Sequence, residues 1–203
     1  MVGPPPTTIR ICSCSTAIGV AFATVFLAEL GDKSQLLALS LSARYRRSVL
    51  LLAVLTASAV TMAVSVTAGN LVGQLLPTRA ITAGAALLFV AFGVMTLRGD
   101  DEVDDDEEGE SASSSSGFVG IVAALSLAEF GDKTMVATFA LAAASSAVGT
   151  WIGATAGMAL AGAIGVVIGG AVWTRLSPRT VRLVSGGLFL VVGIVLLLDA
   201  LTG

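Results

Sequence analysis

A chain of 203 residues that is 55% hydrophobic, only 12% charged, and has a mean hydropathy of +0.93 lacks the charge a soluble domain needs to cover its surface. The net charge of −3 hides an uneven distribution. Nine of the fourteen acids fall between Asp100 and Glu110, and no histidine is present, so any proton chemistry must use carboxylates.

In chain order, residues 1–15, with Pro4-Pro5-Pro6, read as an unstructured tail. Its Cys12 and Cys14 are too few for a metal site and too close for an easy disulfide. Six apolar runs follow, near 17–41, 49–75, 80–97, 118–145, 148–173 and 180–200. A run of about 19 residues suffices to cross roughly 30 Å of hydrocarbon. The continuation of the first run through Glu29, Asp32 and Lys33 argues against a cleaved signal peptide. Arg44-Tyr45-Arg46-Arg47, Pro77 and Ser177-Pro178 mark breaks between runs.

Between the third and fourth runs lies an acidic, serine-rich stretch without aromatics, expected to be a disordered linker over 99–117. Asp104, Asp106, Glu108 and Gly109 mimic the start of an EF-hand loop. Position twelve of that loop would be Ser115 where a bidentate glutamate is needed, so the resemblance fails.

The second half repeats the first at an offset of one hundred residues. Leu27-Ala28-Glu29-Leu30-Gly31-Asp32-Lys33-Ser34 returns as Leu127-Ala128-Glu129-Phe130-Gly131-Asp132-Lys133-Thr134. Arg79 matches Arg179, Leu88-Phe89 matches Leu188-Phe189, and Gly93 matches Gly193. Three spans per copy is an odd number, so the second copy enters the membrane the opposite way round. The expected fold is an all-α integral membrane protein, with six transmembrane helices as two inverted three-helix repeats over 16–98 and 118–203.

Arg44, Arg46, Arg47, Arg98, Arg175, Arg179 and Arg182 fall on one side of this topology, and only Arg10 and Arg79 on the other. The positive-inside rule puts the first group and the acidic linker in the cytoplasm and both termini outside.

Both lysines of the chain, Lys33 and Lys133, lie in the repeated motif, as do all the acids of the apolar runs except Asp199. Each charge at bilayer depth costs about 3 kcal/mol on insertion scales, so the concentration needs a reason. On a continuous helix, Glu29 and Asp32 share a face, as do Glu129 and Asp132, and Lys33 stands four residues after Glu29 in salt-bridge order. Gly31 and Gly131 permit close approach or local unwinding. Ser34 and Thr134 add hydroxyl oxygens. An oxygen-only ligand set suits Ca²⁺, Mn²⁺ or Mg²⁺, and carboxylates gathered in low dielectric bind protons as well as cations. A site that holds one or the other is a basis for antiport.

The doubled E-x-G-D-K-[ST] motif, Glu29–Ser34 and Glu129–Thr134, resembles the signature of the Golgi manganese/calcium–proton antiporter family and its bacterial and chloroplast relatives. The similarity covers nearly the whole chain. It implies exchange of Mn²⁺ or Ca²⁺ for H⁺, with Glu29, Asp32, Glu129 and Asp132 as the cation site, helped by Ser34 and Thr134. Lys33 and Lys133 would adjust charge and close the site. The short chain fits a bacterial plasma-membrane form, where the resemblance points to manganese export.

The expected partners are the divalent cation, protons and the lipid bilayer. No nucleic acid and no resident cofactor is expected, and a homo-oligomer is compatible with the sequence. Two other readings are weighed: an exporter of a small organic cation or amino acid, disfavoured by 5% aromatic content, and a non-transporting assembly subunit that docks through the acidic linker. An enzyme is disfavoured because the motifs offer no nucleophile–base pair.

Overall fold

The computed structural model describes residues 14–30, 41, 45–98, 117–168 and 178–202. Among these residues the chain forms helices and turns only: α1 (Cys14–Glu29), α2 (Arg47–Leu75), α3 (Thr78–Arg98), α4 (Phe118–Ala128), α5 (Lys133–Ala144), α6 (Ala147–Ile168) and α7 (Pro178–Thr202). Local chemistry sets their ends. Leu76 precedes Pro77 and is extended, with φ −113° and ψ 153°, as the proline ring requires. Pro178 opens α7, where its missing N–H removes nothing from the helix. The Ser146 hydroxyl accepts from the Gly149 N–H at 3.3 Å and caps α6.

Among the described residues, four segments are long and apolar enough to cross a bilayer: Arg47–Leu75, Thr78–Arg98, Ala147–Val167 and Arg182–Thr202. Large apolar side chains such as Leu52, Leu75, Leu87, Val119 and Leu198 are exposed on the outside of the bundle, an arrangement suited to lipid rather than water. Thr56, Thr67, Thr138 and Thr202 donate to the carbonyl four residues back, at 2.7–2.8 Å, which satisfies hydroxyls inside apolar helices.

The run expected as one span over 118–145 is two helices. It breaks at Glu129–Asp132, because Gly131 takes φ +88° and Asp132 starts a new helix as its N-cap. The first run's expected course over 31–40, the acidic linker over 99–116 and the end of the fifth run over 169–173 lie outside the described residues. Helix α1 begins at Cys14, two residues before the expected start of the first repeat; Cys14 is a free, exposed thiol.

Small residues set the packing. A Cβ on Gly149 would meet Cys14 O at 2.6 Å, one on Gly153 would strike Ile18 O, and one on Gly157 would meet Phe22 O at 2.7 Å. Steps of four on both helices make α1 and α6 parallel neighbours whose backbones touch. Helices α2 and α5 pair in the same way. The Ser65 hydroxyl donates to Met135 O at 2.6 Å, Gly69 abuts Phe139 O, and a Cβ on Gly73 would stand 2.7 Å from Ala143 O.

Helices α3 and α7 are antiparallel. Gly93 packs on Leu190 and Gly186, and Gly193 packs on Val90 and Ala86. Between them the Phe89 and Phe189 rings lie 5.7 Å apart, with Phe92 and Phe189 at 5.9 Å. Helices α2 and α6 are also antiparallel, with Gly162 against Val54 and the Trp151 indole N–H donating to Ala59 O at 3.1 Å. The central core is built largely of alanines, with Phe89, Phe189, Met62 and Met158 filling the larger spaces.

Candidate functional site

Glu29 ends α1 and is 2% exposed. Glu129 caps the C-terminus of α4, with φ −93° and ψ −9°, and its N–H donates to Leu125 O at 3.3 Å. These two residues, one hundred positions apart, line the same small cavity. Val54, Ala57 and Ser58 of α2, Leu125 of α4, and Met158 and Gly162 of α6 complete its walls. The cavity measures about 20 Å³, room for roughly one water-sized occupant.

Small side chains keep it open. Ala57 and Gly162 face across the α2–α6 seam, and a Cβ on Gly162 would come within 2.7 Å of Val54 Cγ1. Two carboxylates bordering one apolar-walled space repel each other when both are ionised, and a dication or protons relieve that repulsion.

The break after Glu129 organises the rest of the second motif. The Asp132 Oδ2 accepts from the Thr134 hydroxyl at 3.0 Å and from the Thr134 N–H at 3.4 Å. That is an N-cap, with the carboxylate at the positive end of α5. Thr134 is buried, while Asp132 and Lys133 are half-buried. Glu129 and Asp132 therefore do not share a helical face. The geometric basis for an in-helix pair between Glu129 and Lys133 is absent too, because a turn separates them.

Asp132 and Thr134 turn to each other and do not line the cavity. Among the described residues, no group of three or more acidic, thiol or imidazole side chains gathers as a metal cage. Gly31, Asp32, Lys33 and Ser34 lie outside the described residues. A Cβ built on Gly131 would meet nothing within 4 Å, so its positive φ, not crowding, is what asks for glycine there. A helix interrupted at the charged motif aims the carbonyl end of α4 and the N–H end of α5 at the same region, an arrangement that can serve cations and carboxylates respectively.

Sequence reasoning missed Ser58 and Met158. They hold equivalent positions in the two halves, both are buried, and both line the cavity. A serine or methionine within an apolar run carries no signal of its own. Only projecting the repeat onto the packed helices reveals the pair. Asn70 lines a separate, wider groove of about 310 Å³, with Thr67 and Trp151.

A helical bundle with an interrupted helix and two acids lining a shared cavity has features of a secondary transporter. The chain belongs to the divalent cation/proton antiporter GDT1 family, whose profile matches residues 17–104 and 117–203. With its four long apolar helices it is a membrane protein.

A chloroplastic GDT1-like protein 1 of Oryza sativa subsp. indica is 34% identical over 216 residues, covering 91% of this chain and 62% of the relative. This chain thus spans less than two thirds of that relative's length. A Vibrio cholerae protein provisionally named a manganese exporter is 33% identical over 183 residues, covering 88% of this chain and 89% of that protein. A GDT1-like protein of Synechocystis is 32% identical over 198 residues, covering 89% and 96%. No solved structure matches the chain.

Proposed function

We propose that this protein exchanges a divalent cation, Mn²⁺ or Ca²⁺, for protons by alternating access, and that in the cell it exports manganese. The observation that carries this reading is the cavity lined by both Glu29 and Glu129. One acid from each half borders a space of ionic size, and the same two carboxylates can take a dication or protons in turn. The name given to the Vibrio cholerae relative supports manganese as the cargo. The cavity beside the two glutamates measures about 20 Å³, a size that suits a bare ion better than an amino acid or an organic cation.

In this reading Asp32, Ser34, Asp132 and Thr134 join the two glutamates as ligands around the ion. Lys33 and Lys133 balance charge once it leaves. The two halves, 16–98 and 118–203, are inverted three-span repeats, the fourth span being α4 and α5 together. Three kinds of packing support that symmetry. Equivalent helices α2 and α6, and α3 and α7, run antiparallel; the equivalent Phe89 and Phe189 meet; and Gly93 and Gly193 make reciprocal contacts. Positive-inside asymmetry orients the bundle with the linker in the cytoplasm.

The test is flux in proteoliposomes carrying a pH gradient and an entrapped Mn²⁺ or Ca²⁺ indicator. Gradient-driven uptake should be lost in both Glu29→Gln and Glu129→Gln, with the folded protein recovered intact. Undiminished uptake in both variants would remove the glutamates from the mechanism.

A further inference from the structure

We infer that Met158 is a specificity-determining residue, biasing the cavity towards a transition-metal dication such as Mn²⁺ and against the alkaline-earth ions Ca²⁺ and Mg²⁺. The inference deepens the proposed function and rests on its reading of the Glu29–Glu129 cavity as the ion site. Among the described residues that line the cavity, the side chains carrying a heteroatom besides those two glutamates are the Ser58 hydroxyl and the Met158 thioether. Val54, Ala57, Leu125 and Gly162 supply apolar wall.

Positions 58 and 158 are equivalent in the repeat, so the two halves present oxygen on one side and sulfur on the other. Met158 is 2% exposed, and its flexible side chain can follow an occupant of the cavity.

An ion entering a space this small must shed most of its water. Ca²⁺ and Mg²⁺ are hard, and Mg²⁺ dehydrates reluctantly; a thioether is a poor replacement for the oxygen either ion gives up. Mn²⁺ also prefers oxygen, but as a d-block dication it loses less than Ca²⁺ or Mg²⁺ on meeting one sulfur among oxygens, and thiophilic Cd²⁺ gains from it. The carboxylates attract any dication, while the sulfur separates one class from the other. An all-oxygen cavity, which serine at position 158 would create, lacks that discrimination.

The experiment compares Mn²⁺ and Ca²⁺ flux under one pH gradient in full-length wild type, Met158→Ser and Met158→Leu, with Met95→Leu as control. Met95 lies on α3, is exposed and does not line the cavity. Leucine conserves the volume of methionine, which keeps the test open should the serine variant fold poorly. Wild type should favour Mn²⁺, both Met158 variants should lower the Mn²⁺:Ca²⁺ rate ratio several-fold, and Met95→Leu should leave it unchanged. Inhibition of Mn²⁺ flux by Cd²⁺ should also need several-fold more Cd²⁺ in Met158→Leu.

An unchanged ratio and unchanged Cd²⁺ inhibition in Met158→Leu would overturn the role of the thioether while leaving the transport reading intact. Absence of any flux in folded wild type would overturn the transport reading itself, and this inference with it.

Discussion

At the residue scale, Asp132 has two separable duties. Its carboxylate caps α5 through Thr134, and in the proposed cycle it also binds the ion. Asparagine caps a helix about as well as aspartate, whereas alanine loses roughly 1 kcal/mol. Asp132→Asn should therefore keep the melting temperature in detergent and lose transport, while Asp132→Ala should lower both. If Asp132→Asn transported at the wild-type rate, Asp132 would be a cap and nothing more.

Gly131 makes a conformational demand instead. At φ +88°, an alanine costs about 1–2 kcal/mol, so Gly131→Ala should lower the melting temperature although no neighbour lies within 4 Å of its Cβ. The glutamates, and the freedom of the motif glycine to unwind a helix, were legible in the sequence because charge inside an apolar run is rare. Ser58 and Met158 were not, because neither residue type is unusual there.

At the element scale, hydropathy found α2, α3 and α7 to within two residues at each end, since Pro77 and Pro178 punctuate them. It fused α4 with α5, because apolar residues continue on both sides of Glu129–Asp132 and hydropathy measures length, not continuity. Only the backbone reveals the interruption.

The helix contacts are equally specific. Gly153 lets α6 lie directly on the α1 backbone at Ile18, whereas Gly84 on α3 has open space around its Cβ position. Gly153→Ala should cost about 2 kcal/mol by overpacking. Gly84→Ala should be neutral or slightly stabilising by helix propensity. Thermal unfolding of the two variants in one detergent checks this: equal melting temperatures would contradict the close packing of α1 and α6.

At the scale of the whole molecule, the offset of one hundred residues visible in the sequence reappears as packing. Phe89 meets Phe189 with their rings tilted, and Glu29 shares a cavity with Glu129. The sequence disclosed the repeat but not which copies touch, because that depends on how three spans fold back across three others. The proposed orientation predicts that an impermeant maleimide labels the native Cys14 in intact cells. A cysteine at the exposed Ser48, in a chain lacking Cys12 and Cys14, should react only after permeabilisation. The reverse pattern would invert the topology.

The central claim is a single ion site built jointly by the two halves. Its most direct measurement is the stoichiometry and affinity of Mn²⁺ binding to purified protein, by titration calorimetry, for wild type, Glu29→Gln and Glu129→Gln. A shared site predicts one Mn²⁺ per chain in wild type and loss of that binding in either variant. Two ions per chain in wild type, with each variant losing one and keeping the other, would contradict the account and make the halves independent sites.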